Sequence, residues 1–284
     1  MKNLKIKITA VALVAFLAVF GTGAKKKAKV VESAYPKSIV ALSPSAAEIL
    51  FAVGAGDQVA AVSEFTDYPA EAAAKPVVGG FDGKTLSIET IMSYKPDLVY
   101  LTEGMHNFLI ATLESNGIAY YISKGESIAS VEKEILDVGK ITGHDKQAKK
   151  VVDDMEKKLQ KVAKKAGSPV KLYYEVWNAP YMSVGTSSFI HDVIVKAGGE
   201  NIFADLTDAY PMVSEESIIS RQPAVILIPS SSGQAASSVG LRNGWSDIPA
   251  VKNGKVFVVD DNVYTRPGPR IADVVVELSQ LLQK

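Results

Sequence analysis

The sequence contains no cysteine. Disulfides and thiolate metal sites are therefore excluded. Histidine is almost as scarce: only His106, His144 and His191, far apart and with no pair at ligand spacing. A cage of histidines and carboxylates for a bare Zn²⁺ or Mn²⁺ is not expected from such a pattern. An excess of one charge is also lacking. Lys and Arg total 31, as do Asp and Glu, so the chain has no basic footprint for nucleic acid and none is expected as a partner. No apolar run is long enough to cross a bilayer. Catalytic motifs are missing too. There is no His-Glu-x-x-His and no Gly-x-Ser-x-Gly. The glycines Gly79, Gly80 and Gly83 before Lys84-Thr85 have the wrong spacing for a phosphate loop, and Gly54-Ala55-Gly56 lacks the third glycine of a dinucleotide fingerprint. Nucleophile, base and orienter cannot be assembled, so no enzyme and no catalytic cofactor is expected.

What is present starts at the N-terminus. Lys2, Lys5 and Lys7 precede an apolar run from Ile8 to Phe20, then Gly21-Thr22-Gly23-Ala24. A positive start, a short apolar stretch and small residues before a cut describe a signal peptide over residues 1–24. An uncleaved anchor is the alternative, and either places the protein outside the cytoplasm. Residues 25–36 are Lys-rich, contain Pro36, and read as a tether. With 284 residues, the remainder can hold two modest cores.

From residue 37 short apolar runs alternate with helical segments. Strands are expected at Ser38–Leu42, Val59–Val62, Leu98–Leu101 and Ala119–Ile122, and again at Lys171–Val176, Ala224–Ile228 and Val256–Val259. Ser45 with Glu48 reads as a capping box opening the first helix. Further helices are expected over Ser87–Tyr94, His106–Ser115, Ser188–Ala197 and Ile271–Leu282. The alternation means α/β architecture with mostly parallel sheets. Residues 127–165 interrupt it with two successive helices broken near Gly143-His144-Asp145. The second is heavily charged, with Val151, Val152, Met155, Leu159 and Val162 as a narrow apolar stripe. The expected organisation is an N-terminal α/β lobe (37–144), a linking helix (145–167) and a C-terminal α/β lobe (168–284), each lobe Rossmann-like, with a cleft between them.

An internal repeat supports two related lobes. Ser87-Ile88-Glu89-Thr90-Ile91 to Lys95-Pro96 aligns without a gap with Ser214-Glu215-Glu216-Ser217-Ile218 to Gln222-Pro223, and an apolar strand follows each proline. Ser caps a short helix in each copy, Glu89 or Glu216 lies in its first turn, and Pro stops it. A first-turn Glu compensates the helix dipole by roughly 0.3–1 kcal/mol. A matched pair on two lobes also presents two negative points to a two-fold symmetric partner.

At these residues the chain resembles the extracytoplasmic binding proteins of ABC importers for cobalamin, ferric siderophores and haem, the cobalamin binders most of all. The likeness runs through Ser43-Pro44-Ser45-Ala46-Ala47-Glu48, Thr66-Asp67-Tyr68-Pro69, the Ile88-Glu89 run, Gly198-Gly199-Glu200-Asn201-Ile202-Phe203, Val213-Ser214-Glu215-Glu216 and Arg266-Pro267-Gly268-Pro269-Arg270. It implies two lobes joined by one rigid helix that close only slightly on a ligand between them. It also implies a monomer that docks on an ABC permease dimer through Glu89 and Glu216. Phe65, Phe81, Tyr181 and Tyr210 fall where cobalamin binders present rings, which suits a corrin or porphyrin face. Asn262 stands where those proteins carry Asp, and Thr102 where they carry Trp, two departures from the cobalamin pattern.

Three further residues bear on the ligand. Arg266 lies close before the terminal helix, where its charge opposes the macrodipole, and a residue set against local preference is a candidate for function. It would grip a carboxylate, amide or phosphate of the ligand. Arg270 would pair with a structural Asp. His106 is the weak candidate for an axial ligand to haem iron, with Tyr181 or Tyr210 as substitutes. The bound species expected is thus a corrinoid, a haem or a ferric chelate. The rival classes are an exported α/β enzyme and a surface interaction protein with a filled cleft.

Overall fold

A computed structural model describes residues 35–82, 84–164 and 167–284. The expected signal peptide (1–24) and all but the last two residues of the expected tether (25–36) lie outside the described residues.

Two four-stranded parallel sheets form the frame. The first holds β1 (Ile39–Ala41), β2 (Val59–Val62), β3 (Leu98–Thr102) and β4 (Ala119–Ser123) in the order β2-β1-β3-β4. The chain then passes through β5 (Val170–Tyr174), a small hairpin of β6 (Trp177–Asn178) and β7 (Tyr181–Met182), then β8 (Gly199–Asn201), β9 (Val225–Pro229) and β10 (Val256–Val259). The second sheet is ordered β10-β9-β5-β8. Counting each lobe from its own first strand, the two orders are the same. The central strands are apolar on both faces, as parallel strands covered by helices must be: β1 and β9 are buried throughout.

The repeat survives in detail. The helices Ile88–Ser93 and Glu215–Arg221 each precede the third strand of their lobe. The Ser87 hydroxyl accepts the Thr90 N–H at 3.2 Å, and the Ser214 hydroxyl accepts the Ser217 N–H at 3.1 Å. Ile91 and Ile218 are both fully buried. Lys95 and Gln222, the residues before the two prolines, both take a left-handed backbone, with φ of 47° and 50°.

The first helix, Pro44–Ala52, corrects one expectation. Its cap is Ser43, not Ser45: Ser43 is extended and its hydroxyl accepts the Ala46 N–H at 3.1 Å. Pro44, with φ preset for a helix, takes the first position. Glu48 therefore lies beyond the third position and serves another purpose, described below.

The helices Ile128–Thr142 and Asp145–Ala163 meet at Gly143, whose φ of 81° only glycine adopts without strain. They cross closely at Gly139, where an added methyl would sit 2.3 Å from the Ala148 Cβ. The second helix links the lobes. Gln147 near its start donates to the Ala52 carbonyl at 3.4 Å, and Lys158 near its end pairs with Asp273 of the terminal helix, Ile271–Gln283, at 2.5 Å. Its Ala148, Val152, Met155 and Val162 are buried at helical spacing. One apolar cluster runs from Ile39 and Ile49 through Ile135 and Met155 to Ile194, Val225 and Leu278. The lobes thus share a core. Among the described residues no helix is long and apolar enough to cross a membrane.

Candidate functional site

In open parallel sheets a ligand site forms beyond the carboxyl ends of the strands, where the strand order reverses. Here that point lies between β1 and β3 in one lobe and between β5 and β9 in the other. The segments leaving those ends carry most of the residues singled out by sequence.

In the N-terminal lobe β2 runs into Ser63-Glu64-Phe65. Phe65 has φ of 61° and is 72% exposed. A bulky residue in the left-handed region is strained, and such strain clusters at ligand-binding and switch segments. Phe81 is half-buried. Its carbonyl faces the His106 Nε2 at 2.9 Å, and its ring meets the imidazole edge-on at 6.3 Å. The other imidazole nitrogen, Nδ1, accepts the Thr102 N–H at 2.9 Å. That bond fixes the tautomer: Nε2 carries the proton and donates it to Phe81. His106 is fully buried, and burial depresses its pKa despite that hydrogen bond. Both nitrogens are committed to backbone, so the reading of His106 as an axial iron ligand is corrected. The imidazole ties the Phe81 loop to the end of β3.

In the C-terminal lobe β5 continues through Glu175 into the β6–β7 hairpin. Tyr181 is half-buried against Trp245, with ring centroids 5.6 Å apart, and its hydroxyl donates to Glu215 at 3.1 Å. Trp245 Nε1 donates to the same carboxylate oxygen at 2.7 Å. Glu175 is wholly buried and takes both guanidinium nitrogens of Arg242, at 2.6 and 2.8 Å. Arg242 in turn lies over the Trp245 and Tyr181 rings. Tyr210 is half exposed. Met182 pairs with Trp177 within the hairpin and bridges to Met212 on the Tyr210 segment. Trp177 and Met212 are largely exposed and extend the apolar wall. They escaped sequence reading because neither belongs to a motif, although a Trp just past a buried strand is a signal in itself.

Asn262 is exposed on a one-turn helix, Asp261–Tyr264, capped by Asp260. Beside it the Asp261 carboxylate accepts from the Ser230 hydroxyl at 2.8 Å and the Ser231 N–H at 3.0 Å. Burial pushes this carboxyl up, but those hydrogen bonds outweigh it and hold the group below the usual range.

Arg266 and Arg270 both reach across to the first lobe. Arg266 Nη1 is 2.5 Å from Asp67 Oδ1, and its Nη2 donates to the Phe65 carbonyl at 3.4 Å. Burial pushes the Asp67 carboxyl up, but the Arg266 hydrogen bond and charge win and lower it. Arg270 donates through Nη2 and Nε to Glu48 Oε2, at 2.8 and 3.0 Å, and lies 4.0 Å over the Tyr68 ring. Glu48 is buried. The partner of Arg270 is thus a Glu, Glu48, and not the Asp expected from sequence. Arg266 also has a protein partner rather than an open guanidinium.

Away from the cleft, Glu89 and Glu216 are both exposed on the first turns of equivalent helices. The Ser87 hydroxyl donates to Glu89 at 2.6 Å and keeps its carboxyl below the usual value. Glu215, next to Glu216, is occupied by Tyr181 and Trp245, so Glu216 is the outward member of that pair.

This geometry coincides with a family pattern. The profile of the periplasmic binding proteins matches residues 39–263. The chain belongs to that family. A vitamin B12-binding protein of Vibrio parahaemolyticus is 29% identical over 246 residues, covering 85% of this chain and 88% of the relative. An uncharacterised ABC transporter substrate-binding lipoprotein of Bacillus subtilis is 32% identical, covering 86% of this chain and 79% of its own length. The crystal structure of the periplasmic vitamin B12 binding protein of Vibrio cholerae superposes with a TM-score of 0.76 at 28% identity, over 87% of this chain and 97% of that one.

The segments leaving the strand ends carry exposed rings and a few polar groups. No group of three or more His, Asp or Glu able to hold a metal occurs among the described residues. Exposed rings and hydrogen-bonding groups of this kind are what small-molecule sites are commonly lined with.

Proposed function

We propose that this chain is the substrate-binding component of an ABC import system. It captures a corrinoid between its lobes and delivers it to the permease through Glu89 and Glu216. The observation that carries the proposal is the pairing of an aromatic cleft with one outward carboxylate on the same helix of each lobe. The cobalamin- and B12-binding names of the relatives support the corrinoid. In the cleft, Phe65, Phe81, Tyr210 and Trp177 offer ring surface for a macrocycle, Tyr181 backs them, and Asn262 offers an amide to the ligand's edge. Both His106 nitrogens are held by backbone and the Tyr181 hydroxyl by Glu215, so two of the three candidate axial ligands are withdrawn, which suits a chelate whose metal is already fully coordinated. The N-terminal segment directs export and leaves the protein extracytoplasmic. Lobes over 37–144 and 168–284 close slightly about the helix between them.

Titrating the purified protein with cyanocobalamin, haemin and a ferric hydroxamate, followed by absorbance and tryptophan fluorescence, tests this. Saturable one-to-one binding of cyanocobalamin, tighter than of the other two, is the expected result. Binding of none of them would overturn the reading in favour of an interaction protein.

A further inference from the structure

We infer that Asp67 sets the charge preference of the cleft: by holding Arg266 across the lobes, it withholds a guanidinium from carboxylates on a ligand and so favours chelates with an uncharged, amide-bearing rim. The inference rests on the binding-protein reading above.

The geometry is asymmetric in a telling way. The Arg266 side chain is 8% exposed, whereas that of Asp67 is 54% exposed. The arginine is neutralised from the solvent side by the acid, which lies two residues after Phe65 on the segment leaving β2. An incoming carboxylate meets Asp67 first and reaches Arg266 only by displacing it. Other cations near the strand ends are paired too, although for Arg270 and Arg242 the acid is the more buried partner. Arg270 is on Glu48, Arg242 is on Glu175, Lys124 is 3.5 Å from Glu103 and 3.9 Å from Glu126, and Lys84 is 3.3 Å from Asp82. Glu64, beside Phe65, has no ion pair among the described residues. A carboxylate-bearing ring therefore finds these cations taken and an unopposed acid in addition. An amide rim meets neither penalty. Discrimination of this kind works by a cost placed on the wrong ligand rather than by a new contact to the right one.

The test uses haemin, which carries two carboxylates, and cyanocobalamin, which is rimmed by amides, as paired probes. Wild type, Asp67→Asn, Arg266→Gln and the double variant are titrated with both. Wild type is expected to prefer cyanocobalamin. Asp67→Asn is expected to tighten haemin about tenfold or more while changing cyanocobalamin less than about threefold. The double variant should return haemin to near the wild-type value, because the gain runs through the freed guanidinium. Asp67→Ser, which removes the charge with a smaller side chain, should reproduce the gain should the Asn variant fold poorly. A haemin-to-cobalamin ratio unmoved in both Asp67 variants overturns the inference and leaves the binding function standing. A haemin gain that persists in the double variant also overturns it, as does a wild type that prefers haemin. A wild type that binds neither probe overturns the inference, and one that binds no ferric hydroxamate either overturns the function it rests on as well.

Discussion

Glu134 is a carboxylate buried without a cation. Its side chain lies under the end of β4, where the Tyr100 hydroxyl donates to one oxygen and the Ser123 hydroxyl to the other at 3.0 Å. Burial raises its pKa, the hydrogen bonds from Tyr100 and Ser123 oppose the rise in part, and the nearby Asp137 charge adds to it. For an acid whose folded pKa is raised, the folded state binds the proton more tightly than the unfolded one. Its contribution is fully present below the unfolded carboxyl pKa and is lost as pH rises through the folded value. Glu134→Gln deletes the charge, keeps one accepting oxygen and turns the other into an NH2 donor, to which one hydroxyl can rotate and accept. It should raise the melting temperature at pH 8 by about 2–4 °C, what roughly 1 kcal/mol is worth in a chain of this size. Near pH 4 the gain should vanish. Paired melting curves at the two pH values check this, and an equal effect at both would show that the charge is not the cause. None of this could be read from sequence, because Glu134 looks like any charged residue of an amphipathic helix until Tyr100 is seen above it. The same holds for His106, whose two partners are backbone groups, and for Arg266, whose partner is 199 residues away in sequence.

Elements were more legible than partners. The alternation of apolar runs located seven of the eight sheet strands to within a residue or two. It missed β8 because Gly199–Asn201 has a mixed composition and is held by its place beside β5. The two-helix interruption was visible from its charge and from Gly143. The close crossing at Gly139 was not, because a lone glycine within a helical pattern has no sequence signature of contact. That crossing predicts a cost. Gly139→Leu places a branched side chain where even a methyl would meet Ala148, and overpacking of this kind costs about 1–3 kcal/mol. The better helix propensity of Leu offsets only part of it. Urea unfolding should show a lower midpoint with an unchanged slope. An unaltered midpoint would mean that the two helices can separate freely there.

At the scale of the whole molecule the duplication matters most. Two lobes of one strand order place Glu89 and Glu216 on equivalent turns, and the sequence offset of the repeat already announced this. If these carboxylates register the carrier on its permease, Glu89→Lys with Glu216→Lys should cut uptake at least about tenfold and leave ligand affinity in solution unchanged. Each single reversal should fall between. Radiolabelled uptake alongside equilibrium titration separates the two effects. Full uptake by the double variant would remove the docking role from both residues.

The shared core has a consequence for the rate at which the chain folds. Ile271, Val274, Val275, Leu278 and Leu282 bury in the same cluster as Ile39 and Ile49, and Arg270 closes on Glu48. The helix Ile271–Gln283 closes a core that begins with β1 and the first helix. Without it the linking helix has only part of its cover, and contacts so distant along the chain form slowly. Folding of both lobes therefore waits on this one long-range closure.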